Sequence, residues 1–187
     1  MTPPTLIVVS GQSGSGKTTL AHEAARAVGC PAICRDEIKE GMAHATPGYR
    51  PSPGDELARR TFAAFFDVVT LLLRAGTTVV AEAAFQDKLW RPNLEPLVGL
   101  AEIRVIRCMT DPAVAHARIA HRAEANLRRS AHDDRDLLRS LSTGEASLGS
   151  FTPISLAAPT LHVDTTNGYD PGIDAIVAFI NAAHADF

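Results

Sequence analysis

The octapeptide Gly11-Gln12-Ser13-Gly14-Ser15-Gly16-Lys17-Thr18 constrains this chain more than any other segment. It fits G-x-x-x-x-G-K-[ST] at every fixed position, and its flanks give the pattern meaning. Before it, Leu6-Ile7-Val8-Val9 is short, apolar and β-branched, as a parallel strand buried on both faces should be. After it, Lys17 to about Val28 carries helical apolar spacing and stops at Gly29. Glycines let the backbone turn tightly and aim several N–H groups at one phosphate. The start of the following helix adds a positive dipole end. Lys17 brings a cation to the β- and γ-phosphates, and Thr18 offers a hydroxyl to Mg2+. Gly11, Gln12, Ser13, Gly14, Ser15, Gly16, Lys17, Thr18 and the adjoining Thr19 are therefore the candidate phosphate-binding residues.

Strand and helix patterns alternate along the rest of the chain. Pro31–Cys34, Thr77–Ala81, Ile103–Cys108 and Thr160–Val163 read as further strands. Asp36–Met42 and Asp55–Leu73 read as helices, with 44–54 a loop between them. Asp87–Leu100 is helical in composition, made irregular by Pro92 and Pro96. Asp111-Pro112 opens a helix running to about Leu127, followed by an arginine-rich stretch to about Arg139. Residues 142–159 read as loop, and Asp170-Pro171 caps a last helix with Ile173, Ile176, Val177 and Ile180 on one face. This alternation, with strands that do not alternate in polarity, predicts an α/β domain with a parallel sheet. Residues 1–187 are expected to form a single domain, with a lid or flap candidate within 118–158.

Composition excludes several classes. Hydrophobic residues make up 45% and charged residues 21%, a globular balance. The net charge of −3 speaks against a general electrostatic nucleic-acid binder. No apolar run is long enough for a membrane span, and Leu6–Val9 is too short for a signal-peptide core. The three cysteines, Cys30, Cys34 and Cys108, fit neither a disulfide framework nor a zinc-ribbon spacing, so a cytoplasmic setting with reduced thiols is expected. His22, His116 and His121 fall on expected helices with no ligand set around them in the sequence.

Three further places bear on what happens to the phosphate. Asp36 follows the second strand, at the sheet edge where ligands sit. It could accept a proton from an attacking hydroxyl, hold Mg2+ through water, or merely cap the next helix. Glu82 ends the third strand, where a carboxylate could complete a magnesium or acceptor site. Arg118 and Arg122, four apart on one helix face, could neutralise charge on a transferring group, and a guanidinium could stack on adenine. Arg128, Arg129, Arg135 and Arg139 extend that cationic run into what could be a closing lid. Lys39 could meet a negative group on the acceptor or be a solvated lysine. Tyr49 and Arg50 in the 43–56 loop could shape an acceptor pocket, and Phe85 could wall it, though core packing is the default for a Phe.

With these residues in place, the chain resembles the small P-loop kinases of the nucleoside-monophosphate-kinase-like group. It is most similar to their predicted-kinase branch, whose neighbours include chloramphenicol phosphotransferase and polynucleotide 5′-kinase domains. The resemblance rests on SGQSGSGKTTLA (10–21), CRDEIKEGM (34–42), AGTTVVAEAAF (75–85), the R-x-x-x-R of 118–122 and LHVDTTNGYDP (161–171). It implies a P-loop NTPase three-layer α/β/α sandwich with a mostly five-stranded parallel sheet and a helical lid. It also implies an ATP- and Mg2+-dependent phosphotransferase acting on an alcohol group of a small-molecule acceptor, as a monomer or homodimer. In that reading Lys17, Asp36, Glu82 and Arg122 are catalytic: Asp36 is the base, Arg122 the lid arginine, and Glu82 orients acceptor-side groups. Arg118 lies beside the adenine, and Thr18 and Asp36 are the magnesium residues. Lys39 stands where polynucleotide kinases carry an arginine. A 5′-hydroxyl polynucleotide kinase and a non-enzymatic ATP-binding switch are the competing readings.

Overall fold

The computed structural model describes residues 3–52, 54–125, 134–145 and 151–182. In chain order the elements are β1 (Thr5–Gly11), α1 (Lys17–Val28), β2 (Ala32–Cys34), α2 (Arg35–His44), α3 (Glu56–Arg74), β3 (Val79–Glu82) and α4 (Asp87–Leu94). A 3-10 turn (Glu95–Leu97), β4 (Glu102–Met109), α5 (Pro112–Ala125), α6 (Asp134–Thr143), β5 (Thr160–Asp164) and α7 (Ile173–Asn181) follow. The strands form one sheet in the order β2-β3-β1-β4-β5, and every pairing is parallel. Helices pack against both faces of this parallel sheet, giving the expected three-layer α/β/α sandwich.

The residue pattern explains the layers. Successive side chains of a strand point to opposite faces. Leu6 and Val8 therefore pack with Phe65, Val69, Leu73 and Trp90 of α3 and α4. Ile7 and Val9 pack with Leu20, Ala21 and Ala24 of α1 and with Ile176 and Ile180 of α7. All four β1 residues are fully buried, which is why the strand reads as an unbroken apolar run. Each such burial stabilises by about 1.5–3 kcal/mol, more than any local β-propensity can supply.

Caps fix the helix ends near the sheet edge. Asp55 accepts from the Ala58 N–H at 2.6 Å and starts α3. Asp111 accepts from the N–H groups of Ala113 and Val114 at 2.8 and 3.3 Å, so the Asp-Pro start of α5 forms as expected. Among the described residues no helix is long and apolar enough to cross a membrane.

Some expected boundaries differ. The 87–100 helix ends at Leu94 and passes into a 3-10 turn, because Pro96 has no N–H to continue the ladder. β3 begins at Val79, and Thr78 lies outside it, accepting the Thr5 N–H on its hydroxyl at 3.0 Å. Part of the arginine-rich stretch and the first residues of the expected 142–159 loop form α6, whose Leu137, Leu138 and Leu141 recur at helical spacing among charges. α7 starts at Ile173 with Gly172, not Asp170, at its N-cap. Phe85 is a core residue rather than a pocket wall: it is fully buried and its ring centroid lies 4.8 Å from that of Trp90.

Phe65 sits at the middle of this aromatic group, with ring centroids 5.3 Å from Phe66, 6.0 Å from Phe85 and 5.7 Å from Trp90. Phe65→Ala is expected to lower unfolding free energy by about 3–5 kcal/mol in urea titrations. A loss below about 1 kcal/mol would mean that the α3 layer is not part of the cooperative core.

Candidate functional site

The loop after β1 is shaped by two glycines that no other residue could replace cheaply. Gly14 has φ 79°, and a Cβ there would lie 2.5 Å from the Ala115 carbonyl oxygen of α5. Gly16, at φ 73°, is the N-cap of α1. Between them Ser15 turns back, its N–H donating to Gln12 O at 3.2 Å. Ser13 is exposed in the loop and Thr19 is exposed on α1. The loop thus wraps the start of α1, the arrangement that suits a phosphate.

Glu82, at the end of β3, meets this loop. It is 1% exposed. Thr18 Oγ1 donates to its Oε2 at 3.2 Å, and Lys17 Nζ lies 3.8 Å from its Oε1. Among the described residues Oε1 finds no hydrogen-bond partner. Burial raises the Glu82 pKa above the ordinary value, and the charge of Asp36 adds to the rise. Lys17 and the Thr18 hydroxyl pull it down without cancelling it.

The acceptor-side candidates gather around the start of α2. Asp36 sits in its first turn, and Arg35 Nη1 donates to Asp36 Oδ1 at 3.0 Å. Lys39, one turn on, is only 9% exposed, and its charge helps lower the Asp55 carboxyl. Burial would raise Asp55, but hydrogen bonds from Tyr49, Ser52 N–H and Ala58 N–H outweigh it and bring it to about 2. Tyr49 donates to Asp55 Oδ2 at 2.7 Å. Burial and that carboxylate push the phenol up to about 12. Tyr49 therefore braces the 43–56 loop against the start of α3, while Arg50 is exposed.

On the other side of the loop a cleft of about 760 Å³ is lined by Gly14, Gly16 and Thr19, by Arg118, His121 and Arg122 of α5, and by Thr165 and Tyr169. Arg118 does more than line it. Nη1 donates to Gly14 O at 3.3 Å, and Nη2 to Thr165 O at 2.6 Å and Thr166 O at 3.3 Å. Thr165 Oγ1 donates to Ser15 O at 2.6 Å. Arg118 and Thr165 thus hold the loop to the β5–α7 segment. Arg139 is exposed on α6. Arg128 and Arg129 lie outside the described residues, and of Arg135 only the helical backbone is described.

Sequence reasoning missed the Thr165 contact, although that residue stands in the run 161–171. It also set His22 aside for want of a ligand set. In the structure His22 Nε2 lies 2.6 Å from Glu37 Oε1 and 3.6 Å from Cys34 Sγ. Neither partner is adjacent in sequence; α1 and the β2–α2 junction bring them together.

A family model described as "AAA domain" matches residues 6–146. Among solved structures, a protein of Chloroflexus aurantiacus proposed to be a kinase superposes with TM-score 0.79 at 25% identity, covering 95% of this chain and 97% of that one. A sugar kinase from Janibacter sp. gives TM-score 0.66 at 20% identity, with 97% and 96% covered. The APS kinase of Mycobacterium tuberculosis, solved with AMPPNP and APS, gives TM-score 0.63 at 16% identity, with 97% and 100% covered. No curated protein matches the sequence.

Glu82 holds its proton more tightly in the folded chain than a free glutamate, whose pKa is about 4.3. Between the two values the native state binds more protons than the unfolded one, so stability falls as pH rises through that window. The urea midpoint of the metal- and nucleotide-free chain should therefore carry a decline above about pH 4.3 that is missing in Glu82→Gln. Parallel pH profiles for the two chains would refute this account of Glu82.

Proposed function

This chain belongs to the AAA-domain family of P-loop proteins, and from that premise we propose that residues 1–187 act as one ATP- and Mg2+-dependent kinase domain that transfers the γ-phosphate to a hydroxyl of a small-molecule acceptor. The observation that carries the reading is the convergence of Thr18, Lys17 and the buried Glu82 at the phosphate loop, with the Asp36 carboxylate close enough to act on Glu82. A bare nucleotide-binding loop has no need of a second carboxylate there. Kinases among its structural neighbours, two of them named for small-molecule substrates, support the same reading.

The residues fit the cofactors in kind. A hydroxyl and two carboxylates are oxygen donors for a hard cation, and the Glu82 Oε1 that lacks a hydrogen bond is such a donor. Thr18 and Asp36 would hold Mg2+, with Glu82 orienting Thr18. Bound there, the ion would neutralise charge on the phosphates. Gly11–Thr18 would bind the phosphates, and the Arg118 cleft would take the adenosine. Asp36 accepts the acceptor hydroxyl proton as that oxygen forms its bond to the γ-phosphorus and the bond to the ADP oxygen breaks. Lys17 and Arg122 stabilise charge on the transferring group. The lid would fall within 118–158.

The test is ADP release with Mg·ATP across a panel of sugars, nucleosides, aminoglycosides, chloramphenicol-like alcohols and 5′-hydroxyl oligonucleotides. A small alcohol should stimulate turnover, and Asp36→Asn should cut the stimulated rate at least about 100-fold while ATP binding stays nearly unchanged. Equal stimulated rates in both chains would remove Asp36 as the base. Stimulation by oligonucleotides alone would replace the small-molecule reading.

A further inference from the structure

Among the described residues, one cluster of ligand-type side chains stands beside the phosphate loop rather than in it, and one member, Cys34, also donates its thiol to Glu82. His22 projects from α1, Cys34 ends β2 and Glu37 stands in the first turn of α2. One ligand atom from each lies within 4.8 Å of the other two. The same His22 Nε2 faces both partners, at 2.6 Å from Glu37 Oε1 and 3.6 Å from Cys34 Sγ. A ring nitrogen has one proton or one lone pair to offer, so it cannot satisfy both as hydrogen-bond partners.

A metal ion satisfies all three. On a tetrahedral zinc, a sulfur at about 2.3 Å and a nitrogen at about 2.05 Å sit about 3.6 Å apart. The observed Sγ···Nε2 distance is 3.6 Å. The Glu37–His22 pair is closer than two zinc ligands would be, but both side chains have room to open. They are 50% and 43% exposed. Cys34 is buried at 2% and supplies the fixed corner. A sulfur, an imidazole nitrogen and one carboxylate oxygen select zinc-type ions over magnesium.

We propose that His22, Cys34 and Glu37 form a binding site for a thiophilic divalent cation of the zinc class, with water completing the coordination. Binding forms the metal–sulfur bond, gives up the Cys34 thiol's hydrogen bond to Glu82 and releases that proton to solvent. The site joins α1 to the β2–α2 junction, the segment that carries Asp36. Its ligands are separate from Thr18 and Asp36, so the two ions would be distinct in place and in chemistry.

The test uses the full chain, metal-free and without nucleotide, so its outcome does not depend on the kinase reading. Titration with Co2+ should produce a sulfur-to-cobalt charge-transfer band that saturates at one equivalent. The band should persist in Cys30→Ser and vanish in Cys34→Ser. Zn2+ affinity, measured by chelator competition, should fall more than about tenfold in His22→Gln and in Glu37→Gln, whose exposed positions leave folding intact. No sulfur band in the unaltered chain, the same band in Cys34→Ser, or unchanged Zn2+ affinity in His22→Gln and Glu37→Gln would overturn the proposal.

Discussion

The buried carboxylate of Glu82 is the constraint on which the site depends. A carboxylate removed from water is costly unless donors replace the lost solvent. Here the donors come from the phosphate loop: Thr18 by a hydrogen bond and Lys17 by its charge. The Cys34 thiol adds a third contact from β2. One acid therefore ties α1, β2 and β3 together at the carboxyl edge of the sheet. The compensation is incomplete, since the proton affinity of Glu82 remains raised and Oε1 lacks a hydrogen bond. A hydrophobic residue would pack there at lower cost, so the acid is explained by what it holds in place rather than by stability.

Strand register makes this meeting possible. Val9 of β1 pairs with Glu82 of β3, and Glu82 pairs with Cys34 of β2. These three residues form one row across the sheet. From it the chain leaves β1 into the phosphate loop and leaves β2 into the turn with Asp36. On the other side Gly11 pairs with Cys108 of β4, so α5 and its arginines follow directly after. The order β2-β3-β1-β4-β5 thus puts the loop in the centre, carboxylates on one flank and guanidinium groups on the other. Ligands of open α/β sheets sit at such a point.

Much of this was legible in the sequence where the signal is local. The phosphate loop, its flanking strand and helix, and the Asp111 cap are set by neighbouring residues. So are β1 and β3, because burial on both faces writes unbroken apolar runs, whereas β2 and β5 at the sheet edges are only partly buried and were legible from short apolar segments. What was not legible is set by tertiary pairing. The close approach of α5 to Gly14 gives no periodic signal, and neither does the bond from Thr165 to Ser15. Phe85 could be read as a pocket wall or as core, and only its burial against Trp90 decides. His22 stood twelve residues from Cys34, a spacing that names no ligand pattern, yet β2 returns the chain to the side of α1.

The two arginines of α5 show the same limit and its consequence. Their spacing put both on one helix face and gave no way to divide their work. A guanidinium has five N–H donors in a fixed fork. Arg118 spends its terminal nitrogens on the carbonyl oxygens of Gly14, Thr165 and Thr166, which shape the loop before any ligand arrives. A side chain so committed can lend its charge to the cleft but cannot swing to follow a moving phosphate. A transferring group gains most from a cation that meets it in the transition state. Under the kinase reading Arg118 therefore keeps the loop ready, while Arg122, one turn further along the same cleft, stays the lid arginine that the resemblance implies.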